Sequence, residues 1–197
     1  MPTNRLEFFS DGVFAIVITL LVIDIRLPDE WTNSLGPILV GLWPSYLAYA
    51  ISFIVIGAIW INHHGMFLHI DRTDNGFLLL NVIQLMVIAF IPFPTAVLAG
   101  AIAHSNGMSV ATTFYGGTLV AVGLSVNLIW RYAVRAGLLK KGLSDAKVKL
   151  LTRRFMIGPV SYFIATLVEI VLPWVALAVF VAINVYFLWP RWKPKSL

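Results

Sequence analysis

Apolar residues run through this chain in long blocks separated by short polar joints, with little of the in-and-out alternation of a half-buried element. About 20 apolar residues cross a bilayer core, and blocks of that size or longer lie at about 5–26, 35–68, 76–101 and 108–137. A last block, Phe155 to Trp189, is too long for one crossing and near the minimum for two. Glu169 to Pro173 is its natural dividing point, giving helices at about 155–170 and 173–189; a single tilted helix is the alternative. The pattern predicts an all-α membrane protein, one domain over 1–197 with six transmembrane helices and no linker or repeat. Pro44 is expected to kink the second helix, and Pro92 and Pro94 to break the third near its outer end.

Composition agrees. Hydrophobic residues make up 59% of the chain and charged ones 12%, about half the charged share of a soluble domain. The net charge of +5 and pI of about 9.7 do not imply nucleic acid, because the cations fall in loops and not along a continuous basic face. Arg131, Arg135, Lys140, Lys141, Lys147, Lys149, Arg153 and Arg154 lie in or beside one joint, and Arg191, Lys193 and Lys195 form the tail. With six spans and both termini cytoplasmic, every one of the 14 Lys and Arg residues except Arg26 lies inside, as the positive-inside rule favours. A five-span chain places the basic joint or the tail outside. The same cations suit contact with anionic lipid. Trp31, Trp43, Trp189 and Trp192 fall near the expected interfaces, where indoles anchor.

Having no cysteine excludes disulfides and thiolate metal sites. No hydrolase, zincin or phosphate-loop motif occurs, nor the Thr-Val-Gly-Tyr-Gly filter of potassium channels. An enzyme is therefore not expected, and neither is a cofactor. The N-terminus does not read as a cleavable signal, since Asp11 interrupts the apolar run.

The candidate chemistry sits where polar groups enter the apolar blocks. In Arg5-Leu-Glu-Phe-Phe9-Ser10-Asp11, a carboxylate stands at the threshold of the first helix, and charge there marks an ion path or an ion network. Ser10 or Asp11 also suits a helix N-cap. The second helix ends in Trp60-Ile-Asn-His63-His64, at the same depth if the two helices are antiparallel. Arg5, Ser10, Asp11, Trp60, His63 and His64 are thus candidates for one interhelical network, and a two-histidine metal site is disfavoured because adjacent helical residues diverge by about 100°. Ile16, Leu20 and Ile23 recur at i, i+4 and i+7 beside Thr19, yet almost all of Val13 to Ile25 is apolar, so spacing alone does not single them out. Asp24 is a candidate outer-mouth carboxylate or a partner of Arg26. Asn81 and Gln84 are expected to bond between helices, and Gly116, Gly117 and Gly123 to permit close approach.

Arg5-x-x-x-Phe9-Ser10-Asp11 resembles the hallmark of the transmembrane protein 175 family of lysosomal and prokaryotic potassium channels; Trp60-x-x-His63-His64 and Phe93-Pro94-Thr95 resemble further family segments. The resemblance implies a homotetramer around a pore lined by the first helix, in the plasma membrane. It implies that Ile16 forms the narrowest ring, that Leu20 and Ile23 lie further outward, and that Thr19 is a possible polar ring. Whether Thr19 or Leu20 faces the axis stays open. It also implies that Arg5, Ser10, Asp11 and the histidines hold the helix in register without touching the ion. The expected function is a leak-like, potassium-selective channel with a hydrophobic constriction in place of a carbonyl filter. The alternative is a proton-coupled transporter using Asp11 and the His63/His64 pair, and a third reading is a membrane scaffold without transport.

Overall fold

The first helix, α1 (Asn4–Leu20), buries Leu6, Ser10, Phe14 and Val17, and Leu21 continues that stripe in the 3-10 turn Leu21–Asp24 that closes it. Spacings of four, four, three and four residues put these groups on one face. The chain leaves the turn extended at Ile25, ahead of Pro28, which cannot donate to a continuing helix. These features belong to a computed structural model that describes residues 3–28, 34–169 and 172–188. Trp31, Trp189, Trp192 and the basic tail lie outside the described residues.

The long apolar block after residue 34 divides at Leu42, giving a short α2 (Leu35–Gly41) and then α3 (Trp43–Phe67), with Pro44 in its first turn. The expected kink is therefore a break, because proline suits the start of a helix and not its interior. The next block divides in the same way. α4 (Asn75–Ala89) stops before Phe90-Ile91, and α5 (Pro92–His104) restarts on Pro92. Asp74 caps α4, its Oδ1 accepting from Phe77 N–H at 2.8 Å, while Tyr132 Oη donates to the same carboxylate at 3.0–3.1 Å. Gly76 makes that approach possible, since a Cβ there would collide with the phenol.

α6 (Met108–Arg135) begins after two left-handed residues, Ser105 and Gly107. α7 (Asp145–Glu169) starts ten residues earlier than the apolar pattern suggests, so Lys147, Lys149, Arg153 and Arg154 ride on its first turns and not in a loop. α8 (Pro173–Leu188) completes the chain of helices. Among the described residues there is no strand, only one isolated antiparallel bridge between Ile70 and Leu139. Among the described residues, four helical stretches are long and apolar enough to cross a membrane: Asn4–Asp24, Trp43–Phe67, Asn75–His104 and Met108–Arg135.

Two apolar clusters fill the interior. A central one joins α1, α3, α4, α5, α6, α7 and α8 around residues such as Val17, Val55, Leu85, Tyr115 and Phe180. A second gathers Leu6, Phe67, Phe77, Trp130 and Phe155, and so brings the start of α1, the end of α3, the start of α4, the end of α6 and the early turns of α7 to one end of the bundle. Most of the basic residues sit there. α6 and α7 touch at Gly123, where a Cβ would come within 3.0 Å of Pro159 Cα; Gly117 faces open space.

Candidate functional site

α1 has two unlike sides. Its inner side is buried, with Val17 2% exposed, whereas Ile16 is 60%, Leu20 41% and Ile23 56% exposed. At 100° per residue, Ile16 and Leu20 lie within one narrow sector. In the 3-10 turn residues three apart eclipse, which sets Ile23 over Leu20. Phe9 and Gly12 extend the same exposed side toward the N-terminus. Thr19 is exposed as well, and its hydroxyl donates to Ile16 O at 2.8 Å, so its proton is committed to the backbone. Both Thr19 and Leu20 thus lie on the open side.

The buried side carries a directed chain of hydrogen bonds. His63 Nε2 lies 3.1 Å from Asn81 Oδ1, Asn81 Nδ2 donates to Ser10 Oγ at 3.0 Å, and Ser10 Oγ donates to Leu6 O at 2.8 Å. Because Asn81 Oδ1 can only accept, His63 donates from Nε2. All three side chains are fully buried, and together they tie α1, α4 and α3. Phe14 and Phe67 pack on the imidazole, with ring centroids 5.3 and 4.6 Å away. In an apolar interior such bonds are directional, and leaving them unmade is costly.

Two exposed contacts accompany this chain. Trp60 Nε1 donates to Asp11 Oδ1 at 2.9 Å, and His64 Nδ1 lies 2.9 Å from Glu7 Oε1. The residues expected to form one network make their polar contacts in pairs, Asp11 with Trp60, His64 with Glu7 and His63 with Asn81, and the Trp60 and His64 rings stack with centroids 6.2 Å apart. Arg5 is exposed and joins no hydrogen bond or ion pair among the described residues. Ser10 and Asp11 lie well inside α1, which begins at Asn4, so neither is an N-cap. Adjacent positions on one helix diverge by about 100°, which is why Ser10 points inward and Asp11 does not.

Glu7 and the inward role of Asn81 were the partners that the motif alone did not assign. Glu7 lies four residues before Asp11, and that spacing, one turn of helix, was the available signal. Gln84 does not make its expected interhelical bond; both of its polar atoms are buried with no partner among the described residues. Asp24 makes no ion pair with Arg26, whose Nε donates to Ile23 O at 3.3 Å.

A second polar cluster was not anticipated beyond Thr95. Thr95 donates to Ile91 O at 2.9 Å, and Ser52 Oγ lies 2.7 Å from Thr95 Oγ1 and 3.0 Å from Tyr115 Oη. With Thr95 committed to the carbonyl, Ser52 donates to Thr95 and Tyr115 donates to Ser52. This cluster joins α3, α5 and α6 beside the Phe90–Ile91 break. No group of three or more His, Cys, Asp or Glu among the described residues could hold a metal ion.

Comparison with known proteins places the chain. Residues 5–92 match the family described as endosomal/lysosomal potassium channel TMEM175. A potassium channel of Chamaesiphon minutus is 39% identical over 94% of this chain and 93% of its own length. One from Streptomyces collinus is 41% identical over 81% of this chain and 79% of its own. The human endosomal/lysosomal proton channel TMEM175 is 39% identical, but over only 47% of this chain and 20% of its own length. The crystal structure of a lysosomal potassium-selective channel TMEM175 homolog from Chamaesiphon minutus superposes with a TM-score of 0.84 at 37% identity, covering 94% of this chain and 95% of that one. The fold, the motif at the head of α1 and these full-length relatives agree: the chain belongs to the TMEM175 family.

Proposed function

We propose that this chain is the subunit of a potassium-conducting channel in which α1 lines the ion path. The observation that carries this reading is the division of α1 into a face latched by Ser10–Asn81–His63 and an opposite face of exposed aliphatic side chains at Ile16, Leu20 and Ile23. A helix held on one side by directional bonds can present the other to a pore without tilting away. The potassium specificity rests on the names of the full-length relatives.

In this reading α7 and α8 also cross the bilayer, giving six spans, with both termini cytoplasmic in the plasma membrane. Four copies surround an axis with their α1 helices innermost. Ile16 forms the narrowest ring, Leu20 and Ile23 continue it, and Thr19 adds a hydroxyl edge. Such a ring offers no oxygen ligands. Potassium holds its water less tightly than sodium, so partial dehydration at an apolar constriction favours potassium modestly, and narrowing closes the path by dewetting. Arg5, Glu7, Asp11, Trp60 and the histidines orient α1 and do not bind the ion.

Proton-coupled transport through Asp11, His63 and His64 is the less favoured reading. These residues engage different partners, and no continuous relay links them among the described residues. Potassium and sodium flux into liposomes, compared between the parent and Ile16→Asn, tests the channel. The parent should favour potassium, and the variant should conduct more and discriminate less. Ile16 is exposed in the protomer, so its replacement should change protomer stability by no more than about 0.5 kcal/mol. Unchanged flux in Ile16→Asn, Leu20→Asn and Ile23→Asn alike would overturn the pore assignment.

A further inference from the structure

We propose that a small cavity at the C-terminal end of α1 binds one monovalent alkali cation, sodium or potassium, through the Asp24 carboxylate and the hydroxyls of Ser45 and Tyr49. The helix closes in the 3-10 turn Leu21–Asp24, after which Ile25 is extended. Leu21, Asp24 and Ile25 form one wall of the cavity, Ser45 and Tyr49 of α3 a second, and Thr95 of α5 a third. Ser45 and Tyr49 lie four residues apart and so share a face of their helix. Ala48, Ala96 and Ala99 complete the lining, and their short side chains leave space that larger ones would fill.

Every polar side-chain atom of this lining is an oxygen, and no side chain in it carries a positive charge. Asp24, Ser45 and Tyr49 are each half-buried, and none of their side chains makes a hydrogen bond or ion pair among the described residues. Arg26 does not neutralise Asp24, being exposed, with its Nε donating to Ile23 O at 3.3 Å. Thr95 gives its proton to Ile91 O and accepts from Ser52, which leaves at most one lone pair for an ion. A carboxylate partly withdrawn from water without a partner is costly, and the partial negative charge at a helix C-terminus adds to that cost. A cation offsets both, whereas a water molecule brings no charge to either.

Size and charge select among cations. The cavity holds about 10 Å³, on the order of one water-sized particle, so an ion seated there keeps little of its water shell. Oxygen donors suit hard cations, and one carboxylate balances one positive charge. Calcium takes about 6–8 oxygens and magnesium keeps several waters, for which the cavity has neither the ligands nor the space. It is partly open, so an ion enters without crossing the bundle, and it lies on the buried side of α1, where Leu21 packs, and not on the side that exposes Ile16 and Leu20. The site is thus distinct from the proposed ion path. An ion held here ties the end of α1 to α3 and α5, where no side-chain hydrogen bond does so among the described residues.

The test is the thermal midpoint of the purified full chain, titrated with sodium chloride or potassium chloride while N-methylglucamine chloride holds the ionic strength constant. The midpoint should rise and saturate with one or both alkali cations, as it does for a ligand that binds only the folded state. Asp24→Asn should abolish the rise. Tyr49→Phe and Ser45→Ala should each raise the half-saturating concentration about fivefold, the loss of one neutral oxygen contact. Magnesium chloride at equal ionic strength should not reproduce the effect. A rise that persists in Asp24→Asn would place the cation elsewhere, along the ion path for example, and overturn the site. So would a midpoint indifferent to both alkali cations, the result expected if the cavity takes water alone, or an Asp24-dependent rise that magnesium equals. If Asp24→Asn does not fold, an unshifted half-saturation in both Tyr49→Phe and Ser45→Ala would still overturn it.

Discussion

The two halves of α1 are held by different forces. From Asn4 to Asp11 the helix is fixed by bonds of defined direction: Ser10 to Asn81, Asp11 to Trp60 and Glu7 to His64. From Phe14 to Leu21 it is held by Phe14, Val17 and Leu21 packing into the central cluster, with no interhelical hydrogen bond from its side chains among the described residues. In lipid this difference matters more than it would in water. Apolar packing there gains little over the same contact with an acyl chain, whereas an unmade polar bond has no water to replace it. The first half is therefore the fixed end, and the second is held by packing that carries less directional preference. The side chains proposed to constrict the path all lie on the second half.

Removing the latch should have the largest effect. Asn81→Leu deletes both bonds of Asn81, strands the buried Nε2–H of His63 and leaves Ser10 Oγ with only the bond it donates to Leu6 O. We expect a loss of roughly 2–3 kcal/mol, read as a lower thermal midpoint of the purified protein. Val17→Ala, on an equally buried residue of the second half, should cost only about 1 kcal/mol, because an acyl chain is as apolar as the side chains that surround Val17. Equal shifts in the two variants would end the contrast between the halves.

The sequence made the fixed end legible only in part. Seven residues sufficed to mark the head of α1 as special, because charge next to an apolar run is rare and conspicuous. The assignment of partners was not legible, since it depends on helix phase and on which neighbour lies behind each face. One position separates Ser10 from Asp11 and His63 from His64, and in each pair one member is buried and the other outward. Asn81 was visible as a polar group in an apolar block, as was Gln84; that one bonds across helices and the other does not is a matter of packing. Breaks at Leu42 and Phe90-Ile91 were foreshadowed by prolines, but proline fixes where a helix can restart more than how far it bends. The early start of α7 was hidden because its first turns are basic, and a hydropathy pattern registers the membrane portion of a helix and not its extension beyond it.

The smallest effect concerns the outward bond of the fixed half. Trp60 is 42% exposed, so its bond to Asp11 is less costly to lose than one in the interior. Trp60→Phe keeps an aromatic ring near His64 while removing the indole N–H, and should destabilise by under about 1 kcal/mol. Asp11→Asn keeps an acceptor oxygen but removes its charge, and should cost less still. If the two residues serve only each other, the double variant should cost no more than Trp60→Phe alone, a coupling that a double-mutant cycle measures directly. Strictly additive losses would mean that Asp11 has a second partner, supplied by another copy of the chain or by solvent. The fixed end of α1 would then be completed only on assembly, and the contrast between its halves would belong to the assembled protein and not to the protomer.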